Sequence, residues 1–167
     1  KEAWIGPRRC GQQAESERNQ VKLAFGSDHA GFALRRSLAE HARSIGHDAQ
    51  EFGAPSEEPY DYPDAADQTV PKILNGECEL GVLVCGSGIG ISIRANRHPG
   101  IRAAVCFSPE VAKIARKHNH ANVLCLGARF VTESQAISTL DAFLSSGEDT
   151  DERHVRRIGK LDGCLGV

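Results

Sequence analysis

The chain has 167 residues, with 20 Lys+Arg against 22 Asp+Glu and a formal net charge of −2, a length that fits one domain with a sizeable core. That balance leaves no basic footprint for nucleic acid or an anionic membrane, and no apolar run approaches the roughly 20 residues of a bilayer span. Any phosphate site must therefore be local, built from a few arginines and backbone amides.

Residues 1–20 carry charges and amides but no apolar core, so they read as an N-terminal extension and not as a secretory signal. Glu2, Glu15 and Glu17 argue against an organelle-targeting remnant. Val21–Phe25 reads as a strand ended by Gly26. Leu34, Leu38, Ala42 and Ile45 then recur at three- and four-residue spacing, the buried face of a helix closed by Gly46. Asp48–Phe52 reads as a weaker strand, and a loop rich in Pro, Gly and acids runs on to Pro63. A helix is expected over Asp64–Leu74, with Pro71 kinking it or delaying its start.

Leu80–Cys85 is the clearest buried strand, and Gly86-Ser87-Gly88-Ile89-Gly90 follows it at once, leading into a helix over Gly90–Asn96. Ile101–Phe107 is the next strand. Ser108 then N-caps a helix through His118 whose buried face is Val111, Ile114 and Ala115. Val123–Leu126 is the fifth strand, and Thr132 caps a helix with the stripe Ile137, Leu140 and Leu144. Arg153, His154, Arg156 and Arg157 fall on a last helix, and residues 162–167 form a tail. Strand–helix alternation repeated this often predicts an α/β fold: a single doubly wound domain over residues 21–161, with a Rossmann-like, mostly parallel five-stranded sheet and helices on both faces. Ligands of such sheets bind beyond the carboxyl ends of the strands, which directs attention to Asp28-His29, Cys85–Gly90 and Arg129.

The six cysteines form no CxxC pair. An even count would allow disulfides in a secreted protein, but a chain of this size does not need them. The reading is a reducing, cytoplasmic compartment, with Cys106 and Cys125 as small buried hydrophobes. Cys85 is different. It ends a buried strand at a loop whose alternate glycines turn successive amides into a concavity suited to an anion, reinforced by the following helix N-terminus. The plainer alternative is a tight turn with no ligand. A nucleotide P-loop needs Gly-Lys-Ser/Thr where Gly90-Ile91-Ser92 stands. The dinucleotide GxGxxG pattern fails at Ile91, and the nucleophile elbow fails because Cys85 and Ile89 replace its glycines. A cysteine-phosphatase loop would need an arginine at Ile91. An oxyanion that develops during reaction fits well, with a thiolate favoured beside the helix N-terminus and placed to take a proton from carbon; the competing reading of Cys85 is one more buried strand cysteine.

His118 continues the stripe of its helix, so a core or capping histidine competes with a functional one. His118 and His120 with Cys85 also invite a zinc reading, weak because tetrahedral zinc usually takes closer ligand pairs. Arg153 and Arg157 stand four apart and share one helix face, either gripping a phosphate together or ending a solvated basic helix.

Gly26-Ser27-Asp28-His29-Ala30-Gly31, Asp61-Tyr62-Pro63, Cys85 through Ser92, Ala95-Asn96, His118-Asn119 and Arg153-His154 occur in this order. Together they resemble the family of B-type ribose-5-phosphate isomerases, which also holds the galactose-6-phosphate isomerase subunits. The resemblance runs from about Val21 to Leu161. It implies a metal-free, cofactor-free aldose–ketose isomerisation of a small phosphorylated sugar through an enediolate. Cys85 matches the base that moves the proton between C2 and C1. Gly86, Gly88, Ile89 and Gly90 match the amide cradle, with Ser87 bonding the substrate. His118, with Asp28 nearby, matches the residues that open the sugar ring. His29, Arg129, Arg153 and Arg157 match phosphate contacts, Asn119 matches a hydroxyl contact, and Tyr62 joins the substrate contacts.

The family further implies a homodimer or homotetramer with the active site at the subunit interface. Some relatives take their base from a glutamate in this loop, but Ile89 to Ser92 offer no carboxylate here. His120 stands where an acid is common, Pro71 interrupts a helix, and residues 1–20 have no counterpart. A 6-phosphohexose substrate (galactose or allose 6-phosphate) and a non-catalytic phosphosugar-binding module are the competing readings. Binding alone requires neither Cys85 nor His118, which speaks against the second.

Overall fold

The computed structural model describes residues 20–163; apart from Gln20, the extension expected over residues 1–20 lies outside them, as do Cys10 and the tail from Cys164 onward. Five strands alternate with helices. In chain order they are β1 (Lys22–Ser27), α1 (Phe32–Ser44), β2 (Asp48–Gly53), α2 (Tyr62–Leu74), β3 (Leu80–Cys85), α3 (Ile89–Ala95), β4 (Ala103–Val105), α4 (Pro109–Asn119), β5 (Val123–Gly127), α5 (Glu133–Ser145) and α6 (Glu152–Leu161). They form one sheet in the order β2-β1-β3-β5-β4, and every pairing is parallel. β3 lies at the centre, and all six of its residues are buried, as expected of a strand covered on both faces.

Side chains alternate between the two faces. Leu23, Phe25, Val82, Val84, Leu124 and Leu126 meet α1, α4 and α5 through Leu38, Ala112, Leu140 and Phe143. Leu83, Cys85, Val123 and Cys125 face α2 and α3 through Ala65, Val70, Ile91 and Ala95. Asp67 of α2 takes Arg94 of α3 at 2.8 and 2.7 Å in a two-point ion pair, with His98 at 3.1 Å. That pair ties α3, and hence the loop that feeds it, to α2.

Several expected boundaries shift for physical reasons. Ile45 is the C-cap of α1 and half exposed, so the buried face is Arg35, Leu38, Ala39 and Ala42. Ile114 is also half exposed, and α4 buries Ala112 and Ala115 instead, whose small side chains allow close approach. Pro71 neither ends nor delays α2. That helix starts at Tyr62, with Pro63 at its first positions where no N–H is needed, and Pro71 falls in the last turn, where its carbonyl still accepts from Asn75 N at 3.0 Å. α3 begins at Ile89, one residue early. β4 shrinks from Ile101–Phe107 to three residues at the sheet edge, where Asn96 caps Ala103 by accepting from its N–H (2.7 Å) and donating to its carbonyl (2.8 Å).

Thr132 and Gln135 close α5 with a reciprocal capping box, Gln135 N donating to Thr132 Oγ1 at 3.3 Å and Thr132 N to Gln135 Oε1 at 2.9 Å. Thr132→Ala should lower unfolding stability by about 1 kcal/mol, read as a shifted urea midpoint at unchanged slope. An unchanged midpoint would show that the box adds nothing.

Candidate active site

The connection from β1 leads to β2 on one side, and the connection from β3 leads to β4 on the other, so the sheet's switch point lies between β1 and β3. At their carboxyl ends Asp28, His29, Ala30, Tyr62, Cys85, Gly86, Ser87, Arg129 and Phe130 line a cavity of about 340 Å³, within the range of small-molecule sites.

The loop after β3 is shaped by what crowds it. Gly88 has φ 77°, and a Cβ there would lie 2.9 Å from the Leu126 carbonyl carbon, so only glycine turns the chain at this point. Gly90 faces the Tyr62 ring, whose Cζ would be 2.7 Å from an added Cβ. The turn aims the Gly88 N–H at Cys85 Sγ, 3.1 Å away, on a thiol that is only 3% exposed. Ser87 Oγ accepts from Ile89 N at 3.2 Å. Of the expected cradle, Gly86 and Ser87 therefore line the cavity, while the Gly88 and Ile89 amides serve the loop's own sulfur and hydroxyl. Gly88, Ile89 and Gly90 stand behind the lining, and the Ile89 side chain is largely exposed.

Asp28 is buried, and its Oδ1 accepts from Gly31 N at 2.9 Å, which fixes the β1–α1 turn beside Cys85. His29 Nδ1 lies 3.1 Å from both the N–H and the carbonyl of Tyr60, leaving Nε2 as the ring nitrogen for a ligand. Arg129 N donates to Gly86 O at 3.1 Å, and its guanidinium lies over Gly86, with Cζ 3.3 Å from where a Cβ would stand. The cavity thus has the Arg129 guanidinium and the His29 imidazole at its rim, and an interior holding a thiol, a hydroxyl and a carboxyl group. Ala30 and Phe130 were not among the expected residues. Both follow the carboxyl ends of strands, so the sheet-edge rule could have found them.

The other expected residues are elsewhere in the chain. α4 starts at the cavity edge and runs antiparallel to the strands, so His118 and Asn119, at its end, lie at the amino-terminal edge just before β5. Within one chain, at least the length of β5 separates them from Cys85, about 16 Å at roughly 3.3 Å per residue. The expected proximity of His118 to Asp28 is corrected accordingly, and so is any zinc set joining His118 and His120 to Cys85 in one chain.

At that far edge His118 stacks on His154 of α6, with ring centroids 4.3 Å apart and planes within 6°. His154 is 7% exposed, and Arg153 Nη2 lies 3.4 Å from its Nε2. Arg153 and Arg157, one turn apart on α6, are exposed, as is Asn119. Asp149 donates its N–H to Lys117 O at 3.0 Å and accepts from Asp151 N at 2.9 Å. That amide, helped by His154, Lys117 and His118, holds its carboxyl below the usual range. His120 caps α4 with φ 47° and places Nε2 2.7 Å from the Asp149 carbonyl.

The sequence model of the family described as Ribose/Galactose Isomerase matches residues 23–161. The chain is 41% identical over 137 residues to ribose-5-phosphate isomerase B of Escherichia coli, covering 82% of this chain and 91% of that protein. It is 36% identical over 142 residues to the putative sugar phosphate isomerase YwlF of Bacillus subtilis, covering 84% and 95%. The crystal structure of a ribose 5-phosphate isomerase from Thermotoga maritima matches with a TM-score of 0.83 at 45% identity, covering 86% of this chain and 98% of that one. Type B ribose 5-phosphate isomerase of Trypanosoma brucei matches with 0.83 at 39% identity, covering 87% and 99%.

Burial acts on three of the thiols. It pushes Cys106 up to about 12, raises Cys125 well above its ordinary value and raises Cys78 too, so none of these is a thiolate at mildly alkaline pH. Limited alkylation there should modify Cys85 ahead of Cys78, Cys106 and Cys125, read by mass mapping of peptides. Modification of Cys106 or Cys125 at the same rate would contradict this order.

Proposed function

The chain belongs to the Ribose/Galactose Isomerase family, and we propose that it interconverts ribose 5-phosphate and ribulose 5-phosphate in a site shared by two copies of the chain. The observation that carries this reading is the Cys85 thiol at the floor of a cation-rimmed cavity, with the Gly88 amide aimed at its sulfur. Cys85 as thiolate takes the proton from C2, the C–H electrons form the C1–C2 double bond, and the carbonyl electrons move to oxygen. A proton then passes from the C2 hydroxyl to the C1 oxygen. The electrons left on that C2 oxygen form the new carbonyl while the double-bond electrons take the proton back from sulfur at C1, and the same steps in reverse regenerate the aldose. The enediolate oxygen is met by the Ser87 hydroxyl, a donor already at the cavity wall when the charge develops. Asp28 holds the floor of the site beside the thiol.

His118 of a second copy opens the ring by taking the proton of the anomeric hydroxyl and protonating the ring oxygen, with Asn119 beside it on a substrate hydroxyl. His29 and Arg129 take the phosphate from one side, and Arg153 and Arg157 of the second copy take it from the other. Tyr62, its ring against Gly90, closes the cavity wall. No metal is required for any of these steps.

Two features support the shared site. The expected residues fall into two groups at opposite sheet edges, each incomplete. On α3, which the loop after β3 feeds, Ile89 and Ile93 are 57% and 52% exposed, apolar side chains of the kind that subunits bury. The unpaired Cys78, Cys85, Cys106 and Cys125 support a reducing, cytoplasmic setting. No helix among the described residues is long and apolar enough to cross a membrane.

A coupled assay comparing ribose 5-phosphate with 6-phosphohexoses tests the substrate, with the pentose expected to be turned over faster. Cys85→Ala and His118→Ala should each lose activity, by ~10²–10⁴-fold or more for the base. Unfolded together and refolded, the two variants should recover roughly a quarter of parental activity, since half the pairs are hybrids and each hybrid holds one intact site. No recovery in verified hybrids would place the whole site within one chain.

Arg153→Ala and Arg157→Ala should each raise the Michaelis constant, by roughly ten- to hundredfold for a charge-assisted contact of about 1.5–3 kcal/mol. Lys at either position should restore only part, because it lacks the planar fork. Steady-state kinetics matching the parent would remove α6 from the phosphate site.

A further inference from the structure

The far edge, which holds the His118 assigned above to ring opening, carries a second constellation. One ligand atom each from His118, Asp149 and His154 lies within 4.8 Å of the others. The three come from different elements that the fold holds together: the end of α4, the loop before α6, and the first turn of α6. That loop is stitched to α4 by the Asp149 N–H on Lys117 O at 3.0 Å. The two imidazoles stand parallel at 4.3 Å, and the carboxylate closes the third corner. His154 is more than nine-tenths buried, and its Nε2 already faces a cation, the Arg153 guanidinium 3.4 Å away. A guanidinium only donates, so the nitrogen facing it presents a lone pair. Arg153 is exposed and free to swing into solvent.

We propose that His118, Asp149 and His154 form a binding site for a divalent transition metal, zinc or a close analogue, and that a bound ion inhibits the enzyme. Two imidazoles and a carboxylate match the ligand preferences of zinc, cobalt and nickel over calcium or magnesium, which take oxygen sets. Three protein ligands leave a fourth position open to water. Tetrahedral bonds of about 2.0–2.2 Å place ligand atoms roughly 3.3 Å apart, so the cluster must contract by about 1–1.5 Å. Rotation of the partly exposed Asp149 and His118 side chains supplies that movement. Lys117, Arg153 and Arg157 lie on the elements around the cluster and oppose a cation, so binding is expected to be moderate. An ion here occupies the lone pair that His118 needs as a base. The inhibition therefore rests on the functional reading given above, whereas the site itself does not.

The test is titration of the intact protein with Zn²⁺ by calorimetry and with Co²⁺ by visible absorption, beside Asp149→Asn and His154→Ala. The expected result is saturable binding of one ion per chain, cobalt bands typical of four- or five-coordination, and a loss of at least about tenfold in affinity in each variant. Asp149→Asn should keep the parental turnover in metal-free buffer while losing the zinc inhibition. Absence of saturable binding, or equal affinity in parent and both variants, would overturn the site. Saturable, variant-sensitive binding to a protein with no isomerase activity would support the site and count against the functional reading instead. Should His154→Ala fail to fold, Asp149→Asn and the cobalt spectrum still decide the matter.

Discussion

Everything in this molecule follows from the all-parallel pairing of its strands. A parallel sheet brings each strand to the same edge and sends each helix back to the other. The carboxyl-terminal edge therefore collects the turns after β1, β3 and β5, with Asp28, Cys85 and Arg129, while the opposite edge collects helix ends, with His118. No local adjustment within one chain can bring the thiol and that histidine together. A reaction that used both would require more than one copy, a condition set by topology before surface chemistry.

The second constraint is steric. The loop after β3 passes so close to β5 and to Tyr62 that side chains at Gly88 and Gly90 would collide with backbone and ring. The closeness has a chemical result: a turn tight enough to bring the Gly88 amide within 3.1 Å of Cys85 Sγ gives the sulfur a fixed donor. Cys106 and Cys125 lie outside that loop, and burial pushes their thiols up.

The order of strands and helices was legible because buried parallel strands are short apolar runs and the helices between them are capped and periodic; the limits of β3 coincide with its run. What misled were apolar residues at the margins. Ile45 sits one position past its helix, and Ile114 lies opposite the small alanines that let α4 pack closely, so spacing alone placed both on the wrong side. Legible too was the placement of Cys85, Ser87 and Arg129 at the carboxyl-terminal edge, since they end or follow strands. The separation of His118 from Asp28 was implicit in the N-cap at Ser108, since a helix begun at one edge ends at the other. Motif order carries residue types and not distances, and the His118–His154 stack, made between elements 36 residues apart in number, leaves no periodic trace.

The edge of β4 has an implication for how copies of this chain meet. Ala103 would offer a passing strand one N–H and one carbonyl, but the Asn96 amide already engages both, as a neighbouring backbone would. Templated strand addition, the open-ended route by which exposed sheet edges grow into fibres, loses its first rung there. The exposed side chains of Ile89 and Ile93 on α3 offer no such open-ended ladder.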